Sequence, residues 1–183
     1  MTEPFIDLSL DIYHVAPTFA FDPKCAVIVH NTVDSIGNAL FVNLSHKKPK
    51  EPITVDDFAH VADRIGEGTR LIYRTDWDAQ FPQKHYFFDF PYMTIELAEW
   101  LAERKIDMIG MNVPTPNPTD FDPVHKILLG AEIVIVEGLA NLLNLEQEEF
   151  FFIAAPLRIR GRNGSPVRAL AMRQSPVSAG CYR

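Results

Sequence analysis

Short apolar runs alternate with amphipathic ones along this chain, and the period of each run says which element it makes. Phe5–Leu10, Ala26–Val29 and Ala39–Leu44 (Ala-Leu-Phe-Val-Asn-Leu) are brief and apolar, the pattern of strands. A Pro/Lys turn follows at Lys47–Pro52. Thr54-Val-Asp-Asp57 has the form of a capping box with Asp as acceptor. It opens a predicted helix through Phe58, Val61 and Ile65, which Gly66 stops. Arg70–Arg74 predicts another strand, and Asp76–Tyr92 a long, aromatic-rich loop. Thr94 caps a second predicted helix, Ile95–Lys105, with Leu97, Trp100 and Leu101 on its apolar face. Ile106–Met111 is apolar apart from Asp107, as in a strand covered on both faces.

Asn112–Pro123 carries four prolines and predicts an irregular loop, of a length that is often functional inside a compact domain. A short helix then ends at Gly130, Glu132–Val136 reads as a strand, and Phe150–Ala155 and Val167–Met172 supply the last two. The order β-β-β-α-β-α-β-α-β-β-β predicts an α/β fold with a mixed sheet. At 183 residues the expectation is a single domain over 1–183, with a flexible tail at 174–183.

Composition narrows the function classes. Hydrophobic content of 47% with 22% charged residues is ordinary globular composition. A net charge of −7 argues against a nucleic-acid partner, which needs clustered Lys and Arg. The local basic run Arg158, Arg160, Arg162, Arg168 and Arg173 reads as a solvated strand edge. Two cysteines, Cys25 in or near the core and Cys181 in the tail, make no disulfide framework and suit a reducing compartment. Met1-Thr-Glu-Pro lacks the basic start of a signal peptide, and no apolar run is long enough for a membrane span. The expectation is a cytoplasmic protein with no membrane partner.

His125 opens the helix that Gly130 ends, and Glu137 directly follows Ile133-Val-Ile-Val136. Imidazole nitrogen and carboxylate oxygen together suit Zn²⁺ or Mn²⁺, and a bound water would become acidic enough to attack a carbonyl. The competing reading is bland: a His early in a helix is ordinarily a surface or capping residue, and a Glu after a strand marks where it meets water. Spacing leaves both open.

Leu71 to Ala171 resembles the cyclase family, which includes bacterial kynurenine formamidases (arylformamidases) and isatin hydrolases. The pieces that carry the resemblance are Ile72-Tyr-Arg-Thr-Asp-Trp77, Ala98-Glu-Trp-Leu-Ala-Glu-Arg104, Ile109-Gly-Met111, Val124-His-Lys-Ile-Leu-Leu-Gly130 and Glu137-Gly-Leu-Ala-Asn-Leu142. Ala155-Pro-Leu-Arg-Ile-Arg160 and Gly164-Ser-Pro-Val-Arg168 complete the run, and Ile6-Asp-Leu-Ser9 resembles the family's opening. The resemblance implies a swivelling β/β/α-type fold, His125 and Glu137 as metal ligands, Zn or Mn as the metal, and a small aromatic amide as substrate. It also implies a homo-oligomer.

The family's hallmark, His-x-Gly-Thr-His-x-Asp-x-Pro-x-His, has no counterpart here. Ile36–His46 ends in a His at the right offset, but its ligand positions would hold Ile36, Leu40 and Val42, which bind no cation. Val33-Asp-Ser-Ile-Gly37 resembles the family segment before the hallmark, and Asn38–His46 resembles the strand after it. The expectation is therefore an internal deletion near 37–38. Such a loss removes sheet neighbours and is expected to expose a strand edge. Two ligands fall short of the three that hold catalytic zinc, and no catalytic residue can be named. His14, His30, His46, His60 and His85 are expected to be solvated, His30 being the one best placed to face a cleft. Two functions are consistent with these residues: an amide hydrolase whose shell is completed elsewhere, or a non-catalytic member that binds a ligand or partner. A Cys25 or Ser nucleophile finds no supporting motif. The loop aromatics Trp77, Phe81, Tyr86, Phe87 and Phe88 would suit either a substrate cover or an oligomer contact.

Overall fold

The computed structural model describes residues 5–9, 34–157 and 164–172. Nine strands lie among them: β1 (Phe5–Asp7), β2 (Ile36–Asn43), β3 (Pro52–Ile53), β4 (Arg70–Arg74), β5 (Tyr92–Met93), β6 (Met108–Met111), β7 (Val134–Val136), β8 (Glu149–Pro156) and β9 (Val167–Met172). Seven form one mixed sheet in the order β1-β9-β8-β2-β4-β6-β7, while β3 and β5 pair separately. β2, β4, β6 and β7 run parallel to one another. β8 joins β2 antiparallel, and β9 and β1 continue that pattern. The expected α/β class with a mixed sheet is what the chain adopts.

Along the parallel strands alternate side chains serve opposite faces. Leu40, Val42, Leu71, Tyr73, Ile109, Met111, Ile133 and Ile135 bury into one cluster, beneath two helices. These are α1 (Ile95–Glu103) and α2 (Phe121–Gly130), which bring Leu97, Leu101, Val124 and Leu128. Ala39, Phe41, Ile72, Met108, Val134 and Val136 face the other way. There Ile6, Leu8, Phe150, Phe152, Ala154, Ala169 and Ala171 cover them, because the antiparallel half curls over the back of the parallel half.

Local signals are placed as expected, with shifts at the ends. Thr94 caps α1, its Oγ1 accepting from the Leu97 amide at 3.2 Å. The Thr54 amide donates to the Asp57 carboxylate at 2.7 Å, one half of the capping box. The element it opens, Val55–Arg64, is a ten-residue 3₁₀ helix, a length uncommon for that geometry, and nothing in its sequence marks it. The strand expected over Ala39–Leu44 begins earlier, at Ile36, and runs straight through Gly37–Asn38. Among the described residues β2 is not an edge: it pairs with β8 over Ile36–Leu40 and with β4 over Ala39–Asn43. Ala26–Val29, the tail from 174 and most of the basic run lie outside the described residues. Arg168, which does not, is exposed and ion-paired with Asp7.

Candidate functional site

The carboxyl ends of β4, β6 and β7 point the same way, so the loops that follow them meet. Asn112 directly follows β6 and opens the proline-rich loop. Within that loop Asn117 is fully buried. Its Oδ1 accepts from the amides of Thr119 (2.8 Å) and Asp120 (2.7 Å), while its Nδ2 donates to the Met93 carbonyl at 2.8 Å. This turn delivers the chain to Phe121, the first residue of α2. Pro123 is tolerated because an amide in the first helical turn has no intrahelical partner.

His125 lies one turn further on, 7% exposed, on the face that also buries Val124 and Leu128. It is not a surface residue. Its Nδ1 is 2.8 Å from the Phe121 carbonyl and its Nε2 is 3.3 Å from Glu137 Oε1. A carbonyl only accepts, so Nδ1 carries the proton and the Nε2 lone pair of the neutral ring faces a carboxylate oxygen. Two acceptors in that position call for a proton or a cation between them. A backbone carbonyl on the second ring nitrogen is also how metal-binding imidazoles are ordinarily oriented. Burial, the largest single influence, pushes the His125 pKa down. The Glu137 hydrogen bond and charge, the Phe121 carbonyl and Asp122 together outweigh it and hold the pKa above its ordinary value.

The 3.3 Å spacing fits two ligands of one tetrahedral ion, for which bonds of about 2.1 Å place the donor atoms roughly 3.4 Å apart. Glu137 reaches the place because buried β7 ends immediately before it. Beneath the pair lies Tyr73, fully buried, its hydroxyl 3.5 Å from Met111 Sδ. Burial first, and then the charge of Glu137, push this phenol's pKa up. Tyr86 is shifted the same way by burial, Asp78 and Glu137. Both phenols therefore stay protonated beside the carboxylates.

The remaining histidines go elsewhere. His46 is solvated, 3.9 Å from Asp57; His60 is exposed; exposed His85 meets Gln80 at 2.9 Å. His14, His30, Cys25 and Cys181 lie outside the described residues. Among the described residues no cluster of three or more His, Cys, Asp or Glu is placed to hold a metal. The donor pair thus fits a divalent ion, but the shell is not closed by these residues. Most of the aromatic loop fills the core rather than covering a site: Trp77, Tyr86 and Phe90 are buried, and only Phe88 is well exposed. The exposed ring near the pair is Phe121, its centroid 4.1 Å from that of the imidazole.

Reading the residues alone missed Asp78, Asn112, Asn117 and Phe121. Asn117 had a signal, since Asn in a Pro/Thr-rich loop commonly folds its side chain onto the following amides. The others depend on which strands are neighbours.

Three comparisons bear on this arrangement. The Cyclase family model matches residues 6–118. The kynurenine formamidase of Bordetella avium is 31% identical over 121 residues, covering 64% of this chain and 55% of the relative. The isatin hydrolase of Roseibium aggregatum is 30% identical over 146 residues, covering 67% of this chain and 56% of the relative. The chain therefore spans little more than half the length of these two curated relatives. A solved structure described as a potential metal-dependent hydrolase with cyclase activity superposes with a TM-score of 0.78 at 23% identity. That likeness covers 94% of this chain and 98% of the other, and it shows a shared fold.

Proposed function

The chain belongs to the Cyclase family, and from that premise we propose that it is built as a metal-dependent hydrolase of small aromatic amides with an impaired site. His125 and Glu137 are its two remaining metal ligands, and they are too few for efficient turnover. The observation that carries this reading is the pair itself: a lone pair fixed by the Phe121 carbonyl, 3.3 Å from a carboxylate oxygen. The names of the relatives, kynurenine formamidase and isatin hydrolase, supply the substrate class.

Zinc or manganese suits this mixed nitrogen and oxygen set and, when bound, makes a coordinated water acidic enough to attack an amide carbonyl. The chain's own contribution is orientation. The Phe121 carbonyl holds the imidazole in the tautomer that presents Nε2, Glu137 supplies the facing oxygen, and the exposed Phe121 ring offers an aryl group a partner at the rim. Catalytic zinc takes three protein ligands as a rule, and the absent His-rich string, with its proposed junction near 37–38, accounts for the shortfall. Binding an aromatic ligand without turnover is the activity left to such a site.

The test is metal stoichiometry of the extensively dialysed protein by elemental mass spectrometry, beside His125→Ala and an assay of N-formylkynurenine hydrolysis. Sub-stoichiometric metal that is lost in the variant, with no hydrolysis, is the expected result. One tightly held Zn or Mn per chain with measurable hydrolysis would overturn the impairment. It would mean that another residue or a second copy of the chain closes the shell.

A further inference from the structure

A second carboxylate, Asp78, sits at the same end of the sheet and touches two of the other loops. It lies in the short 3₁₀ turn Trp77–Gln80 that follows β4. Its Oδ1 accepts from Asn112 Nδ2 at 2.7 Å, and its Oδ2 accepts from the Asn141 amide at 2.9 Å. Asn112, fully buried just after β6, accepts through Oδ1 from the Thr75 amide and from Thr75 Oγ1, both at 2.9 Å. Asn141 closes the segment that starts at Glu137. It takes a left-handed φ of 58°, which asparagine tolerates better than most residues. Its Nδ2 reaches across to the Asp7 carbonyl at 3.0 Å.

The loops after three neighbouring parallel strands thus meet on one side chain. Backbone bonds hold the near part of the Glu137 segment: Gly138 to Val113 and Leu139 to Met111, each at 2.9 Å, and Ala140 to Leu8 at 2.8 Å. Its far end is tied to β4 and β6 by Asp78. A carboxylate is required there because both of its oxygens face N–H donors, and an amide could satisfy only one. Bonds of this charge-assisted kind are stronger than neutral ones. We infer that Asp78 is a positioning residue, which clamps the Glu137–Asn141 segment to the ends of β4 and β6 so that Glu137 keeps its place beside His125. The consequence for metal rests on the function proposed above; the clamp itself does not.

The donor pattern supplies its own test. In Asp78→Asn an amide meets two N–H donors, and in Asn112→Asp two carboxylates face each other. With both changes together, Asn at 78 donates to Asp at 112 and accepts from the Asn141 amide, while Thr75 still finds an oxygen. Every bond is restored at unchanged net charge. Co²⁺ titration followed by visible absorption, and amide hydrogen exchange by NMR at Gly138–Asn141, are measured on wild type, both single variants and the double variant. Each single change is expected to weaken Co²⁺ binding about 10-fold, as for other residues that support metal ligands. Exchange across the segment speeds up about 10-fold as its local opening becomes easier. The double variant returns to within about threefold of wild type, the coupling expected of two residues that share a bond. A Phe58→Leu core variant with a matched fall in Tm leaves both readings unchanged.

Unaltered exchange in the single variants overturns the clamp. So does a folded double variant that fails to recover, because then the charge at 78 acts and not the bond pattern. If wild type takes up no Co²⁺, the metal reading fails, and the exchange measurements alone decide on Asp78.

Discussion

The two halves of the main sheet obey different rules. β6 and β7 are buried at every residue and β4 at all but its two ends, under α1 and α2 on one face and the curled antiparallel strands on the other. β8 and β9 bury alternate residues only. Phe150, Phe152 and Ala154 go inward, while Phe151 and Ile153 are half-buried on the outer face, where their register partners include exposed Phe5's neighbour Met172 and exposed Ile36. Parallel neighbours need crossover connections that bring helices with them, whereas antiparallel ones do not, and so one face is left less covered. The His125–Glu137 pair sits in the half whose strands are held from both sides.

The largest expected effect compares the halves directly. Leu71 on β4 is fully buried, so Leu71→Ala should cost about 3 kcal/mol in transfer and cavity energy. Ile153→Ala on the outer face of β8 should cost no more than about 1 kcal/mol, since it uncovers little apolar area. Urea unfolding of both variants measures this. Equal losses would mean that the outer face of β8 is buried in solution, by a second copy of the chain or by residues outside those described.

A smaller effect separates two glycines. A Cβ on Gly110 of β6 would stand 2.9 Å from Ile72 Cγ1 and 3.2 Å from Leu139 Cδ1. Gly110→Ala therefore forces apart β4 and the segment that carries Glu137, at about 1–3 kcal/mol for overpacking. At the end of α2, a Cβ on Gly130 meets nothing within 4 Å, and its φ is not in the left-handed region. Gly130→Ala should be stabilising by about 0.5 kcal/mol through the unfolded state. Thermal unfolding of the two variants should move Tm in opposite directions. A harmless Gly110→Ala would show that the close packing of β4, β6 and the Glu137 segment is not fixed.

The legibility of the residues divides along the same line. β4, β6 and α1 carry strong local signals: unbroken apolar runs, and Thr94 with its cap. They fall where expected to within a few residues. His125 and Glu137 could be picked out because they lie in the short helix that Gly130 ends and just after the apolar run that ends at Val136, although the helix begins at Phe121, a turn ahead of His125. That the two could reach one ion is already an expectation from the helix–turn–strand spacing and the resemblance; the 3.3 Å contact itself depends on how α2 packs against β7. Asp78 and Asn112 were invisible because their bond spans strands β4 and β6, and neither residue belongs to a local pattern. The 3₁₀ geometry of Val55–Arg64 was missed because the capping box and apolar spacing suit either helix type.

The smallest expected effect tests whether the helix-covered half holds His125 as the geometry implies. In protein stripped of metal with EDTA, His125 should titrate above the ordinary imidazole value, followed by its ring proton shifts in NMR. Burial opposes the charged ring, so the upward shift depends on Glu137, the Phe121 carbonyl and Asp122. Glu137→Gln removes the largest of the opposing influences and leaves burial in place, so the midpoint must move down. The sign carries over to stability. A group whose pKa is raised by folding stabilises fully below its unfolded value and loses that contribution as pH rises through the folded one. Metal-free wild type should therefore be more stable, relative to Glu137→Gln, on the acid side of neutrality, and the difference should shrink towards pH 9. If the His125 midpoint is the same in the two proteins, the 3.3 Å contact is not held in solution, and the ligand pair loses its geometric basis.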